Sequence, residues 1–270
     1  MLSTLFIAAA GYIINDYFDR KADIINHPEN VIVGFKIHRR AAIILHSVFN
    51  FIGVILGSYV ALKLGYWKYI FIFIIVTFLL WLYSTTLKRK LLTGNITIAF
   101  ITAMIPFIVF LFEFPGFYIK SRYSVVQHDV INFIMFIILG FSFFAFITSI
   151  IREIIKDIED IRGDIRLGCK SIPIVWGVKK AASICFGLLI FSIIIIAVVD
   201  IFYLSKIVFI ENLLIVHIYL AFIESLFILA LILLSYAREK KHYSRLSLLI
   251  KLIMFFGVGF SAIFYFSFIN

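Results

Sequence analysis

Three aspartates with the spacing D-x2-D-x3-D, namely Asp16, Asp19 and Asp23, close an apolar run at the start of the chain. The same spacing recurs as Asp157, Asp160 and Asp164. On a helix, positions i, i+3 and i+7 share a face, so each triplet predicts one acidic stripe. Two matching stripes in an apolar chain point to one site shared by two facing helices. Carboxylates are hard oxygen ligands of the kind Mg2+ takes, usually a few of them together with substrate phosphates. Asp16, Asp19, Asp157 and Asp160 are the expected catalytic core, and Asp23 and Asp164 complete the expected metal set. Lys88, Arg89, Arg152, Lys156 and Lys170 are the cations expected to neutralise a diphosphate bridged by such ions. Lys170 stands between Gly168 and Ser171, in a turn that ends the second stripe.

These residues need elements to hold them, and composition says which. The chain has 270 residues, of which 63% are hydrophobic, and a mean hydropathy of +1.11. Soluble domains are about half apolar. The expected fold is therefore all-α, one polytopic transmembrane bundle over residues 1–270. A spanning helix needs about 20 apolar residues. Such runs lie near 41–62, 67–87, 95–114, 130–151, 181–200, 211–236 and 247–269. The run from Met1 meets Asn15 after 14 residues, and it spans only if the first stripe is still helical at the membrane edge. That makes eight spans.

Charge placement orients the bundle. Segments 15–40, 88–90, 152–180 and 238–251 hold all of the 25 Lys and Arg except Lys63, Lys68, Lys120, Arg122 and Lys206. By the positive-inside rule the rich segments are cytoplasmic, so both stripes lie on the cytoplasmic side of a multi-pass plasma-membrane protein. Met1 then falls outside, which leads us to expect a preceding span.

A site of acids and bases at a membrane face with apolar walls fits a lipid diphosphate. The tail would lie between helices, gaining about 0.8 kcal/mol per buried CH2. Metal binding would stabilise the departing diphosphate. The carbon left behind becomes cationic, and aromatic faces can stabilise it. Other chemistries find less support. No His/Cys group has zinc spacing. Cys169 and Cys185 make no disulfide framework. The cations flank apolar spans and no soluble surface exists for a nucleic acid. A cation-coupled transporter would place its carboxylates near the midplane on broken helices, not at the ends of spans.

Three motifs carry a family resemblance. Asn15-Asp16-x2-Asp19-x3-Asp23 followed by Asn26-His27-Pro28 resembles the first motif of the UbiA-type intramembrane prenyltransferases. Lys156-Asp157-Ile158-Glu159-Asp160-Ile161-Arg162-Gly163-Asp164, through Gly168-Cys169-Lys170-Ser171-Ile172-Pro173, resembles their second. Tyr83-Ser84-x2-Leu87-Lys88-Arg89, with Gly94-Asn95 after it, is similar to the middle motif. The resemblance implies nine spans in the family, with the first motif closing the second of them. It also implies Mg2+, a prenyl diphosphate donor, and Asn15 and Tyr83 among the substrate-binding residues. The Lys-Asp-Ile-Glu-Asp wording is most similar to the branch that transfers a geranylgeranyl group to the glycerol hydroxyl of geranylgeranylglyceryl phosphate, forming an ether lipid. An aromatic acceptor, as in quinone synthesis, is the alternative. The chain departs from the family pattern at His27, where the family often has Arg, at Asn30, where it has another base nearby, and at Glu29, an added anion.

The remaining expectations are structural. Gly53-x3-Gly57 favours close helix packing, and Pro106 should kink its helix. His46 and Asn50 should bond between helices. His217 and Glu224 lie within a span without a partner legible in the sequence. Residues 115–129 should be an outer loop.

Overall fold

Long helices follow directly from the apolar runs, because a backbone in hydrocarbon must satisfy its own hydrogen bonds. The computed structural model describes the backbone of residues 1–121, 125–204 and 213–269, and the side chains of residues 1–113, 132–204 and 213–266. In chain order the helices are α1 (Leu2–Asn26), α2 (Arg39–Lys63), α3 (Ile70–Thr85), α4 (Thr93–Ser121), α5 (Val125–Glu159), α6 (Ile161–Arg166), α7 (Ile172–Val175), α8 (Val178–Phe202), α9 (Leu213–Tyr236) and α10 (Lys240–Ile269). One-turn 3-10 helices stand at Pro28–Asn30, Trp67–Tyr69 and Leu87–Arg89. No strand occurs among the described residues; Val33 and Ile37 form an isolated bridge.

Among the described residues, seven helices are long and apolar enough to cross a membrane. The expected eighth span, α1, is 25 residues long. Its last three turns carry Asp16, Asp19, Arg20, Lys21 and Asp23, and it falls outside that set. It packs as one unbroken helix along α2 and α3. Close approach to α2 comes from glycine. A Cβ at Gly53 would lie 2.7 Å from the Ile7 side chain and 3.1 Å from the Ser3 carbonyl. Ser3 Oγ donates to the Gly53 carbonyl at 2.7 Å. His46 ties the same pair, its Nδ1 lying 2.9 Å from the Ala10 carbonyl, while Asn50 bonds back to His46 within α2.

The second half of the bundle has the larger core. Ile147, Ile151, Ile154, Ile155 and Ile158 of α5 pack against Leu189 of α8, Phe227 of α9 and Ile250 of α10. Leu, Val and Phe on the outer faces stay exposed, as suits helices bathed in lipid. Asp200 at the end of α8 meets His217 of α9 at 2.6 Å, giving that histidine a partner.

Two expected boundaries differ. The loop expected at 115–129 is largely helical, α4 running to Ser121 and α5 starting at Val125. α4 also continues through Pro106. The fourth interior run, expected to end at 151, continues as α5 to Glu159. The helix therefore carries Arg152, Lys156 and Asp157 itself. The second triplet is not one helical stripe: α5 ends before Asp160, and Asp164 sits on the short α6. The side chains of Lys120, Arg122 and Lys206 lie outside the described residues.

Candidate functional site

The C-terminal ends of α1 and α5, the 3-10 turn after α3 and the start of α10 meet at one end of the bundle. Chain folding there gathers two adjoining groups of polar residues. The first joins α1, α3, α4 and α5. Asp19 is buried, at 8% exposure. It pairs with Lys88 and accepts a bond from Asn15 Nδ2 at 2.7 Å. Asn95 Nδ2 donates to Asp157 at 2.9 Å. The Tyr83 hydroxyl points to Glu153 at 3.4 Å, and Arg152 bonds the same carboxylate at 2.5 Å. Lys88 owes its place to a tight turn. A Cβ at Gly94 would lie 2.8 Å from Lys88 Cα and 2.9 Å from the Leu87 carbonyl, so only glycine fits beneath it.

The second group lines a cavity of about 480 Å3 between α1, residues 27–33, α5 and α10. Asp16, Asp23 and Asp160 line it together with Arg152, Lys156, Arg245 and Lys251. The Asp16 and Asp23 carboxylates take no hydrogen bond or ion pair from the described residues. Asp160 is paired with His27 Nε2 at 2.9 Å, and Glu159 lies 3.7 Å from the same nitrogen. His27 thus binds the second motif across the loop.

Asn26 fastens these pieces together. Its Nδ2 donates to the Asp160 carbonyl at 2.9 Å, and the Gly163 amide donates to its Oδ1 at 3.0 Å. Its own carbonyl accepts from Lys240 of α10. A Cβ at Gly163 would collide with this amide and sit 2.8 Å from the Ala22 carbonyl, so the turn after α5 can close on α1 only as glycine. Asn26→Ala leaves a buried carbonyl and amide without their side-chain partner, at a cost of about 1–3 kcal/mol. We expect a lower melting temperature in detergent and a smaller fraction of correctly folded protein. An unchanged melting temperature would show that the clamp contributes nothing.

Electrostatics outside the spans follow from this crowding. Burial alone would favour neutral Lys88, but the Asp19 carboxylate beside it holds the amine well above the usual lysine range. Burial pushes the Asp164 carboxyl up to about 6; Lys88 opposes the rise, while Asp160 and Asp19 add to it. Burial raises the Cys169 thiol to about 11, which leaves it protonated and unreactive at neutral pH.

Not every expected residue converges. Asp16, Asp23, Asp160, Arg152 and Lys156 share the cavity. Asp19, Asp157, Asn15, Tyr83 and Lys88 belong to the adjoining buried group. Arg89 and Lys170 are exposed and outside the cavity wall; their main chains meet, the Lys170 amide donating to the Arg89 carbonyl at 2.9 Å. Sequence reasoning missed Glu153, Arg245 and Lys251. The available signal for Glu153 was its position four residues before Asp157, one turn away on the same helix face.

Among the described residues no three His, Cys, Asp or Glu side chains converge closely enough to hold a metal ion by themselves. The donors nevertheless suit Mg2+, which keeps several waters and needs one or two carboxylates plus phosphate oxygens. Two carboxylates without partners, Asp16 and Asp23, face one cavity, and the neighbouring Asn15 Oδ1 is buried without a hydrogen bond. These oxygen donors fit the ion.

An apolar cavity of about 380 Å3 lies deeper in the bundle, between α5, α8, α9 and α10. Its two hydroxyl residues are already used. Ser192 bonds the Leu188 carbonyl at 2.8 Å, and Thr148 bonds the Phe144 carbonyl at 2.7 Å. Phe136, Phe141, Phe143, Phe144 and Phe260 supply aromatic walls.

Fold and site together define an integral membrane protein with a carboxylate- and cation-lined cavity at one end of a helical bundle. The chain belongs to the UbiA prenyltransferase family, whose model matches residues 1–257. It is 33% identical over 190 residues to digeranylgeranylglyceryl phosphate synthase of Methanobrevibacter smithii, a match covering 70% of this chain and 62% of that one. It therefore spans somewhat less than two thirds of that relative. A solved structure of digeranylgeranylglyceryl phosphate synthase in membranes superposes with a TM-score of 0.57 at 26% identity, covering 96% of this chain and 82% of the other. A UbiA homolog from Archaeoglobus fulgidus, bound to GPP and Mg2+, shares the fold with a TM-score of 0.57 at 15% identity, covering 96% and 85%.

Proposed function

We propose that the protein transfers a geranylgeranyl group from its diphosphate to the free hydroxyl of geranylgeranylglyceryl phosphate, forming an ether lipid at the cytoplasmic face of the membrane. One observation carries this reading: the two aspartate motifs, far apart in the chain, are clamped together beside Lys88 at one end of an apolar bundle. The names of the similar proteins support the same substrates. GPP and Mg2+ in the Archaeoglobus fulgidus homolog support a prenyl diphosphate donor and this metal.

In this reading Asp16, Asp19, Asp23, Asp157, Asp160 and Asp164 would supply the oxygen ligands for Mg2+, Asp16 and Asp23 being the two without partners among the described residues. When bound, the metal would neutralise the diphosphate and stabilise it as a leaving group. Lys88 adds a fixed positive charge at the same head group, and the Asp19 carboxylate keeps it protonated. Asn15 and Tyr83 shape the wall beside it. The prenyl tail takes the apolar cavity, where no unsatisfied polar group competes. Thr148 lies nine residues before Asp157 on α5, about 13 Å along the helix axis. That is a suitable distance between a tail and its head. The C1–O bond to diphosphate breaks, the glycerol oxygen bonds to C1, and the hydroxyl proton is released.

The test is an acceptor panel. Purified protein is incubated with geranylgeranyl diphosphate and either geranylgeranylglyceryl phosphate or an aromatic quinone precursor, with Mg2+ and with EDTA. Ether lipid formed only with Mg2+ is the expected product. Prenylated aromatic product instead would transfer the assignment to quinone synthesis. No transfer to either acceptor would overturn the reading.

A further inference from the structure

Part of the cavity lining has no role in the reaction described above. Lys156, Arg245 and Lys251 make no ion pair or hydrogen bond among the described residues, although all three line it. Arg152, the fourth cation there, is already committed to Glu153. Lys251 is eleven residues into α10, about 16 Å from its start, and within the segment Lys240–Phe266 that is apolar enough to span. Lys251 is exposed to the cavity and unpaired among the described residues, so its charge is free to meet a ligand there. Ser244 and Ser247 add hydroxyl donors to the same lining. Lys88, the cation assigned to the donor, lies outside this lining and is bound to Asp19. The carboxylates therefore have cations from two parts of the chain, Lys88 from the turn after α3 and the others from α5 and α10.

We infer that Arg245 and Lys251, with Lys156, form the site for the phosphomonoester of a lipid acceptor, separate from the donor's diphosphate site. This deepens the function proposed above and rests on it. Two flexible ammonium groups, a guanidinium and two hydroxyls match the three oxygens and the roughly −2 charge of a terminal phosphate. α10 also presents Leu248 and Leu252 outward. A lipid can thus bring its phosphate in from the side while its chain stays in hydrocarbon. Selection would then depend on the acceptor's phosphate rather than on an aromatic ring.

The experiment measures equilibrium binding and turnover of detergent-solubilised full chain, wild type and Arg245→Ala/Lys251→Ala. The probes are geranylgeranylglyceryl phosphate, its dephosphorylated alcohol and geranylgeranyl diphosphate. Both residues are exposed, so the double variant should fold. Two lost charge-assisted contacts should weaken binding of the phosphorylated lipid on the order of 100-fold. The alcohol and the donor should bind as before. Unchanged binding of the phosphorylated lipid, equal loss for lipid and alcohol, or weakened donor binding would each overturn the inference. Binding is read without turnover. A wild type that binds phosphorylated lipid through these residues but transfers no prenyl group refutes the proposed reaction alone. An active enzyme indifferent to the double substitution refutes the phosphate site alone.

Discussion

Asp16→Asn is expected to lower prenyl-transfer turnover by a factor on the order of 100 to 1000 while leaving the melting temperature nearly unchanged. The two halves of this expectation have separate causes. Asp16 takes no hydrogen bond or ion pair from the described residues, so neutralising it breaks no structural contact. It lines the same cavity as Asp23 and Asp160, so its charge is available to metal and phosphate. Losing one electrostatic contact to a departing group typically costs about 3–4 kcal/mol in the transition state. Asp160→Asn should differ. It loses comparable turnover but also weakens the bond to His27, which ties the second motif to the loop after α1. A lower melting temperature should therefore accompany its loss of activity. The measurement is turnover across a Mg2+ titration, beside thermal unfolding in detergent. Wild-type turnover in Asp16→Asn, or full activity of the wild type in EDTA, would remove the metal-carboxylate mechanism.

How far this site was legible in the sequence depended on how long each helix held its period. The first triplet read correctly as a stripe because α1 is continuous from Leu2 to Asn26. The second did not, because α5 stops after Glu159 and the chain turns through Gly163, which must pack on Asn26. Spacing alone cannot show where a helix breaks. Hydropathy located the apolar runs but ended the fourth interior one too early, since Arg152 and Lys156 look like loop charges. They are helical because α5 outruns the hydrocarbon: its 35 residues are about 50 Å long, against a core of about 30 Å. Arg245 and Lys251 were read only as orienting charges. Their second property, facing a cavity shared with Asp16, comes from the docking of α10 against α5 and the end of α1. No local pattern records that docking. The same holds for Asp200 and His217, joined across two helices.

Lys88→Met is expected to destabilise the protein and, separately, to weaken donor binding. Asp19 is 8% exposed, and Lys88 is its cation. Removing one member of a buried pair costs about 3–5 kcal/mol, since the other charge is left stranded. Here Asp19 keeps its bond from Asn15 and the Lys88 side chain is 21% exposed, so about 2–3 kcal/mol is a better expectation. Asp19→Asn placed on top should recover most of that loss, because no stranded charge remains. The catalytic effect is read well below the variant's melting temperature, where unfolding does not contribute. There the KM for geranylgeranyl diphosphate should rise about tenfold or more, since in the proposed reaction Lys88 would contact the diphosphate before as well as during transfer. Lys88→Arg keeps the charge and should restore stability and most of the affinity. If Lys88→Met melts lower yet binds the donor normally, Lys88 only balances Asp19. If it melts normally and binds the donor normally, the buried pair has neither role.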